Sequence, residues 1–431
     1  MHPRGLLACC LAFAGAAAAP AQPVRVVAAG DIACDPGDAS FNGGAGTATA
    51  CRMMATSDLA LALDADAVLV LGDNQYDFGA LSSYLASYDL TWGRLRALTR
   101  PVPGNHDYLT PGAAGYYGYF GAEAGDPSQG YYSFDLGGWH LVALNSNCAA
   151  VGGCGAGSPQ EQWLVADLAA HSGSCVLAYW HHPRFSSGPH GSDATYQAFW
   201  EALATAGADL VLNGHDHVYE RFAPQDPAGA LDPAGGIRQI TVGTGGRNLT
   251  GFPLLRPNSE ARQAAAFGVL ELELHPNGYA WRFVPEGGSS LGDQGIALCH
   301  SALPTAAARF YTLPPCRLVD TRGPPGPAGG PALVAGEARS FPVAGPCGVP
   351  DDALAVAVNL TAVSPGGNGH LTLFPTGGVE PATSTLNFAG RTRANNAVLP
   401  LGVGGELTAR CTMNPASGAT HLVLDVSGYF R

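Results

Sequence analysis

The chain runs to 431 residues, of which 46% are apolar, 13% charged and none lysine, and its formal charge is −13. That length exceeds one core of ordinary size and predicts two domains behind any leader segment. The acidic balance argues against nucleic acid or an anionic membrane as a partner, since either wants a basic face, and leaves open a local positive site made by metals.

The first residues read as a secretory signal covering 1–21: Arg4 gives a short basic region, Leu6 to Ala19 are apolar and small, and Ala17-Ala18-Ala19 or Ala19-Pro20-Ala21 offers a cleavage site. The mature protein is therefore expected to be secreted or periplasmic. No later run reaches the roughly 20 apolar residues of a membrane span. Nine cysteines remain beyond Cys9 and Cys10, and an oxidising compartment favours bridges among them. Cys34 with Cys51 and Cys148 with Cys154 are the cheapest local pairings, and the odd count leaves one thiol over.

Val24 to Ala29 is a short apolar run ending in Gly30-Asp31. A Gly-rich loop from Gly37 to Gly46 follows, and Arg52 to Leu63 has helical spacing of Met, Leu and Ala. Ala65 to Leu71 has the apolar, partly β-branched composition of a strand buried on both faces, and it breaks at Gly72 into Asp73, Asn74 and Tyr76. Leu81 to Leu98 reads as one or two helices, and Pro101-Val102-Pro103 leads into Gly104-Asn105-His106-Asp107. Tyr131 to Leu136 and His140 to Leu144 read as strands joined at Gly137-Gly138. Ser158-Pro159-Gln160-Glu161 is a capping box with Pro at the first helical position, predicting a helix to about Ala170.

Cys175 to Trp180 is a strand delivering His181-His182-Pro183, and Ser192 to Ala206 is helical up to a C-cap at Gly207. Leu210 to Leu212 is a short strand delivering Asn213-Gly214-His215-Asp216-His217. Phe267 to Leu274 and Tyr279 to Val284 flank Pro276-Asn277-Gly278 as a β-hairpin with an Asn-Gly turn. From about Pro304 helical patterns vanish and short β runs recur between Gly and Pro: Ala353 to Val363, Gly369 to Phe374, Ala397 to Val403 and Thr420 to Val426. That grammar suggests a β-sandwich or barrel. The predicted organisation is a signal over 1–21, a catalytic α/β domain over 22–303 and a β-rich domain over 304–431.

Five strand ends thus supply Asp31, Asp73 with Tyr76, Asn105 with His106, His181, and the pair His215 and His217. In open α/β sheets, ligands bind at such carboxyl ends. Singly these are weak signals: Gly-Asp after a strand is commonly a turn or helix cap, and a lone buried histidine is commonly hydrogen-bonded core, the reading given to His140 and His171 beside a surface one. Gly-His-Asp-His is stronger, because on an extended segment both imidazoles point the same way, and imidazole suits zinc, iron and manganese. The two oxygens of Asp73 allow one carboxylate to hold two metal ions, with the other clusters converging on it.

On Gly30-Asp31-Ile32-Ala33, Gly72-Asp73-Asn74-Gln75-Tyr76, Gly104-Asn105-His106-Asp107, His181-His182-Pro183 and Gly214-His215-Asp216-His217-Val218-Tyr219-Glu220-Arg221, the stretch from Val24 to about Val284 resembles the calcineurin-like metallophosphoesterases, and within them the purple acid phosphatase type. Ala33 stands where that family usually has glycine. The resemblance implies an α/β/β/α sandwich of two sheets with a two-metal centre. Asp31, Asp73, Tyr76 and His217 would hold the first metal; Asp73, Asn105, His181 and His215 would hold the second.

Tyrosine has a free pKa of about 10, so a phenolate at Tyr76 calls for a strongly acidic ion such as Fe(III). The second ligand set fits Zn, Mn or Fe(II). Two such ions can clamp phosphate oxygens, lower the pKa of a bound water and aim the hydroxide in line with the leaving group. The resemblance puts His106 near phosphate as a proton donor or charge stabiliser, against a simpler reading in which it only orients Asp107. It offers His190, in Ser187-Gly188-Pro189-His190-Gly191, to the substrate, against a surface histidine. His182 and Arg184 are further candidates to face phosphate.

The tail motifs Cys316-Arg317-Leu318-Val319-Asp320-Thr321-Arg322, Cys347-Gly348-Val349-Pro350 and Leu424-Asp425-Val426-Ser427-Gly428-Tyr429-Phe430 resemble a β-rich module of secreted bacterial proteins. For it a Cys316–Cys347 bridge is expected, with carbohydrate or cell-surface contact as a candidate role beside that of a stabilising appendage. The expected function is a secreted binuclear acid phosphatase cleaving phosphomonoesters. The alternatives are a phosphodiesterase or nucleotidase using the same metals, or a surface-binding protein whose metal site is structural.

Overall fold

The computed structural model describes residues 23–288, 292–302, 308–378, 380–414 and 416–431. The signal expected over 1–21 and the domain boundary expected between 303 and 304 lie outside the described residues. The strands come in chain order as β1 (Val24–Ala29), β2 (Ala67–Leu71), β3 (Thr99–Val102), β4 (Tyr132–Leu136), β5 (Trp139–Ala143), β6 (Cys175–Tyr179) and β7 (Leu210–Asn213). They continue as β8 (Tyr219–Phe222), β9 (Arg238–Val242), β10 (Ser259–Gln263), β11 (Gly268–His275), β12 (Gly278–Pro285) and β13 (Gln294–Leu298). Two sheets result, a six-stranded one in the order β13-β12-β11-β1-β2-β3 and a seven-stranded one in the order β10-β8-β9-β7-β6-β5-β4.

The apolar runs of the sequence follow from burial on both faces. In the second sheet Leu141, Leu177, Leu210 and Leu212 face the first sheet and join Val27, Leu69 and Leu270 in one core. Their neighbours Val142, Val176, Ala178 and Val211 point the other way, by the period of two. There they pack under two helices that carry Leu164, Leu168, Phe199, Trp200 and Leu203. A helix at Met53–Ala62 contacts β11 of the first sheet. The outcome is the two-sheet sandwich with flanking helices that the sequence predicts. Its sheets are tied by the Cys175–Cys299 disulfide and by the Trp139 indole N–H donating to His275 O at 2.7 Å.

Local expectations hold in most places. The helix Pro159–Ala170 starts at Ser158, whose side chain accepts the Glu161 N–H, and Gln197–Ala206 ends on Gly207 at φ +74°. Two differ. Leu81–Leu98 breaks into a single turn at Leu81–Ser83, a π turn at Tyr84–Tyr88 and a 3-10 stretch at Trp92–Leu98. The cause is an inserted side chain: the Tyr88 N–H donates to Gln75 Oε1 at 3.2 Å instead of continuing a regular ladder. In the hairpin His275 pairs with Gly278, so Pro276 and Asn277 form the loop and Gly278 opens β12. Gly278 is needed for close approach, since a Cβ there would stand 2.5 Å from Ala297 O.

Beyond residue 308 the described chain forms only sheets and short 3-10 turns. Phe310–Asp320, Ala419–Phe430, Ala355–Val363 and Arg393–Pro400 pair antiparallel in one sheet; Ala338–Pro342, Glu406–Asn414, Asn368–Pro375 and Leu386–Ala389 pair in another. Val356, Leu360, Leu371, Leu407 and Leu424 meet in a core of their own. Disulfides join Cys34–Cys51, Cys148–Cys154 and Cys316–Cys347, as expected, besides Cys175–Cys299, and among the described residues Cys411 is the buried thiol left over. Among the described residues nothing in these β-sheets supports the carbohydrate or cell-surface contact, and no helix is long and apolar enough to cross a membrane.

Candidate metal centre

β1, β2 and β3 run parallel, as do β5, β6, β7 and β9, so their carboxyl ends bring the polar turns together where the two sheets meet. The turns are built for close approach. Asp31, Asp73 and His215 adopt left-handed backbone at φ +60°, +47° and +71°, a conformation costly enough to persist only where surrounding contacts enforce it. Gly104 is held to glycine by its neighbour, as a Cβ there would lie 2.1 Å from Asp73 Oδ1. Ala33, the departure from the family pattern, forms a bridge to Gln75 without left-handed backbone, so its methyl is accommodated.

All seven predicted ligand residues converge, in two groups that share Asp73. In the first group the Tyr76 hydroxyl stands 2.9 Å from Asp31 Oδ1, 3.0 Å from Asp73 Oδ2 and 3.1 Å from His217 Nε2. In the second, His181 Nε2 stands 3.1 Å from Asn105 Oδ1, 3.2 Å from His215 Nδ1 and 3.4 Å from Asp73 Oδ1. The two oxygens of one carboxylate therefore face different groups. Asp31 is fixed from its far side, where Oδ2 accepts the His215 N–H at 2.8 Å, and Asp73 Oδ1 accepts the His106 N–H at 2.8 Å.

The ring nitrogens are oriented from behind. His181 Nδ1–H donates to Leu71 O at 2.8 Å and His217 Nδ1–H to Asn248 Oδ1 at 3.2 Å, which turns the Nε2 lone pair of each neutral imidazole inward. Lone pairs of nitrogen, carboxylate and amide then point at one another, an arrangement that needs positive charge between them. The donor set fits a pair of cations: burial lowers the His181 imidazole, but the Asp73 carboxylate, with Asp31 and the Leu71 carbonyl, outweighs it and raises the ring to about 9. The mutual effect keeps Asp73 well below the usual carboxylate range although burial opposes it. Burial, then the charges of Asp31 and Asp73, push the Tyr76 phenol far above its ordinary value, so a phenolate there requires a strongly acidic cation. Burial and its neighbour His181 push His215 down, leaving its imidazole neutral.

His106 does not orient Asp107: its Nδ1–H donates to Asp77 O at 2.6 Å, leaving Nε2 3.9 Å from Asp73 Oδ2. Asp107 instead accepts the N–H groups of Gly104 at 2.8 Å and Asn74 at 3.3 Å and the Tyr84 hydroxyl at 2.6 Å, bracing two motif loops. His190 lies over His215, with ring centroids 4.0 Å apart, and is half exposed at the mouth. His182 bonds Ser146 Oγ through Nδ1 at 2.7 Å and is pushed down to about 3, chiefly by burial. Arg184 is turned to Gln197 Oε1 at 2.7 Å. His140 and His171 stack at 3.7 Å in a separate group, where His140 bonds Asp135 and Asp167. Sequence reasoning missed Asn248, although Thr241-Val242-Gly243-Thr244-Gly245-Gly246-Arg247-Asn248 repeats the pattern of a strand running into glycine.

The calcineurin-like phosphoesterase family matches residues 24–219 of the chain. Purple acid phosphatase 15 of Arabidopsis thaliana is 33% identical over 174 residues, covering 36% of this chain and 32% of that protein. Purple acid phosphatase 22 of the same plant is 34% identical over 150 residues, covering 31% and 32%. The chain thus aligns with about a third of the length of these relatives. The purple acid phosphatase PPD1 from yellow lupin (Lupinus luteus) seeds superposes with a TM-score of 0.52 at 18% identity, over 67% of this chain and 58% of that one, a likeness of fold.

Proposed function

We propose that this chain, whose residues 24–219 carry a calcineurin-like phosphoesterase domain, is a secreted binuclear metal-dependent phosphatase that hydrolyses phosphomonoesters. The observation that carries the reading is Asp73, whose Oδ2 faces Tyr76 at 3.0 Å while its Oδ1 faces His181 at 3.4 Å. Asp31, Asp73, Tyr76 and His217 would hold one cation, and Asp73, Asn105, His181 and His215 the other. Two cations so held supply Lewis acidity for phosphate oxygens and lower the pKa of water. The buried phenol of Tyr76 favours Fe(III) in the first place, and the softer second set favours Zn, Mn or Fe(II). His106 holds its free Nε2 toward the substrate for charge or a proton on the phosphoryl group, and His190 presents its own to the departing side. Four disulfides among the described residues suit an oxidising compartment, which supports export.

Elemental analysis, a visible spectrum and rates on an aryl phosphate and its bis-aryl diester test this together. Two metal ions per chain, an absorption band near mid-visible from tyrosinate on ferric iron, and faster cleavage of the monoester are expected. A metal-replete protein inert toward every phosphate ester would overturn the reading, and a faster diester reaction would replace the substrate class.

A further inference from the structure

The fifth motif, Gly214-His215-Asp216-His217, carries a carboxylate that the metal centre does not use. Asp216 stands between the ligands His215 and His217 and is wholly buried, yet it faces the loop that bears His190. Its Oδ1 accepts two hydrogen bonds from that residue, from the backbone N–H at 3.0 Å and from ring Nδ1–H at 2.8 Å. Its Oδ2 accepts the Ser186 hydroxyl, which in turn accepts the Gly188 N–H at 3.0 Å. The loop is shaped around this group, for a Cβ on Gly188 would meet Asp216 Cγ at 2.3 Å.

A half-exposed histidine on a turn has several rotamers and two neutral tautomers, and here both freedoms are removed. The bond to Asp216 fixes the proton on Nδ1 and makes Nε2 the one ring nitrogen free to meet a substrate. Contact with His215, ring centroids 4.0 Å apart and planes tilted by 31°, holds the ring beside the second ligand group. An alanine in the middle of Gly-His-Asp-His would leave the two ligands in sequence and remove only this backing.

We propose that Asp216 is the positioning residue of His190: it selects the Nδ1–H tautomer and aims Nε2 at the substrate bound on the metal centre. The proposal rests on the phosphatase reading for its kinetic consequence and stands apart from it for its structural one. Preorganised side chains of this kind are worth on the order of 10- to 100-fold in rate.

The test combines a double-mutant cycle with a spectroscopic readout. Asp216→Ala and His190→Ala should each lower kcat/KM on 4-nitrophenyl phosphate by on the order of 10- to 100-fold, and the double variant should be no worse than His190→Ala by more than about twofold. Asp216→Asn, which keeps an acceptor oxygen for Nδ1–H, should recover most of the loss. Metal content and inhibition by inorganic phosphate monitor the neighbouring ligands. Additive losses in the double variant, or an Asn variant as damaged as the Ala one at full metal content, would overturn the proposal.

Long-range ¹H–¹⁵N spectra of the zinc-loaded protein read the tautomer directly, whatever the activity. Nδ1–H at His190 in the wild type and in Asp216→Asn is expected, and Nε2–H in the wild type would overturn the proposal. Should the wild type cleave no phosphate ester, the phosphatase reading fails while this spectrum still decides the role of Asp216.

Discussion

The two sheets contribute different chemistry to the same place. The ends of β1, β2 and β3 bring oxygen, from Asp31, Asp73, Tyr76 and Asn105, whereas the ends of β6 and β7 bring nitrogen, from His181, His215 and His217. Neither half is a site. Hydrogen bonds that cross between the sheets bring them into contact: Gly30 N–H to Val242 O, His215 N–H to Asp31 Oδ2 and His181 Nδ1–H to Leu71 O, each at 2.8 Å. The geometry of the proposed ligands is thus a property of sheet docking. Substitutions at the seam should therefore act on both cations, since each ligand group draws oxygen from one sheet and nitrogen from the other.

The largest effect is expected at the one residue that belongs to both ligand groups. Asp73→Asn leaves a single carboxamide oxygen and removes the charge, so both metals should fall well below one per chain. Turnover should drop by on the order of 10⁴-fold, about 5.5 kcal/mol in barrier. Retained turnover with two bound metals would take the shared carboxylate out of the mechanism.

Next comes the covalent staple between the sheets. Cys175 on β6 and Cys299 just past β13 are separated by 124 residues, and opening so long a loop by replacing both with serine should cost about 4 kcal/mol of stability. Chemical denaturation under oxidising conditions measures it. The same replacement at Cys148 and Cys154, separated by 6 residues, should cost about half as much, and equal losses would refute the idea that loop length sets the contribution.

The two halves also differ in how far the sequence alone exposes them. Most of the proposed ligands were legible because they follow a buried strand and a glycine turn, a local pattern that Ala67–Leu71 with Gly72-Asp73 displays in full, and His181 because it follows the buried strand Cys175–Tyr179 almost directly. The local disulfides and the regular β runs of the C-terminal sheets were legible for the same reason, as Ala355–Val363 alternates buried and half-buried residues along its length. Contacts between distant segments left no such trace. Cys175–Cys299 and Asn248 behind His217 are long-range. β8 and β10 are short and charged, because Arg221 pairs with Glu260 and Glu220 accepts the Ser259 hydroxyl across the two strands. The π turn at Tyr84–Tyr88 depends on Gln75 reaching into it from another loop.

A polar staple at the seam should matter less than the covalent one. Asp293 accepts Arg221 Nε at 2.6 Å and the Tyr219 hydroxyl at 2.7 Å from the second sheet, and the Trp281 indole N–H at 3.0 Å from the first. Asp293→Ala should cost about 2 kcal/mol, less than a fully buried pair because the carboxylate keeps some solvent. Burial works against it, but these bonds hold the Asp293 carboxyl below its ordinary value. A depressed carboxyl contributes stability that is present above the unfolded pKa of about 3.9 and is lost as the pH falls toward the folded value. The gap between wild type and variant in urea unfolding should therefore be full at pH 7 and shrink below about pH 4. A gap that grows on acidification would reverse the assignment.

The smallest effect separates the two ligand groups most sharply. His181 is oriented by the carbonyl of Leu71, a main-chain atom that no side-chain substitution removes, whereas His217 is oriented by the side chain of Asn248 at 3.2 Å. Asn248→Ala should leave the second group untouched and free the His217 ring to turn, lowering affinity for the cation beside Tyr76 by about tenfold. Graded chelation should then strip one metal before the other, with activity restored by excess metal and with Asn248→Asp, which keeps the acceptor, behaving as the wild type. If both metals left together, the two groups, each built of oxygen from one sheet and nitrogen from the other, would be a single cooperative unit.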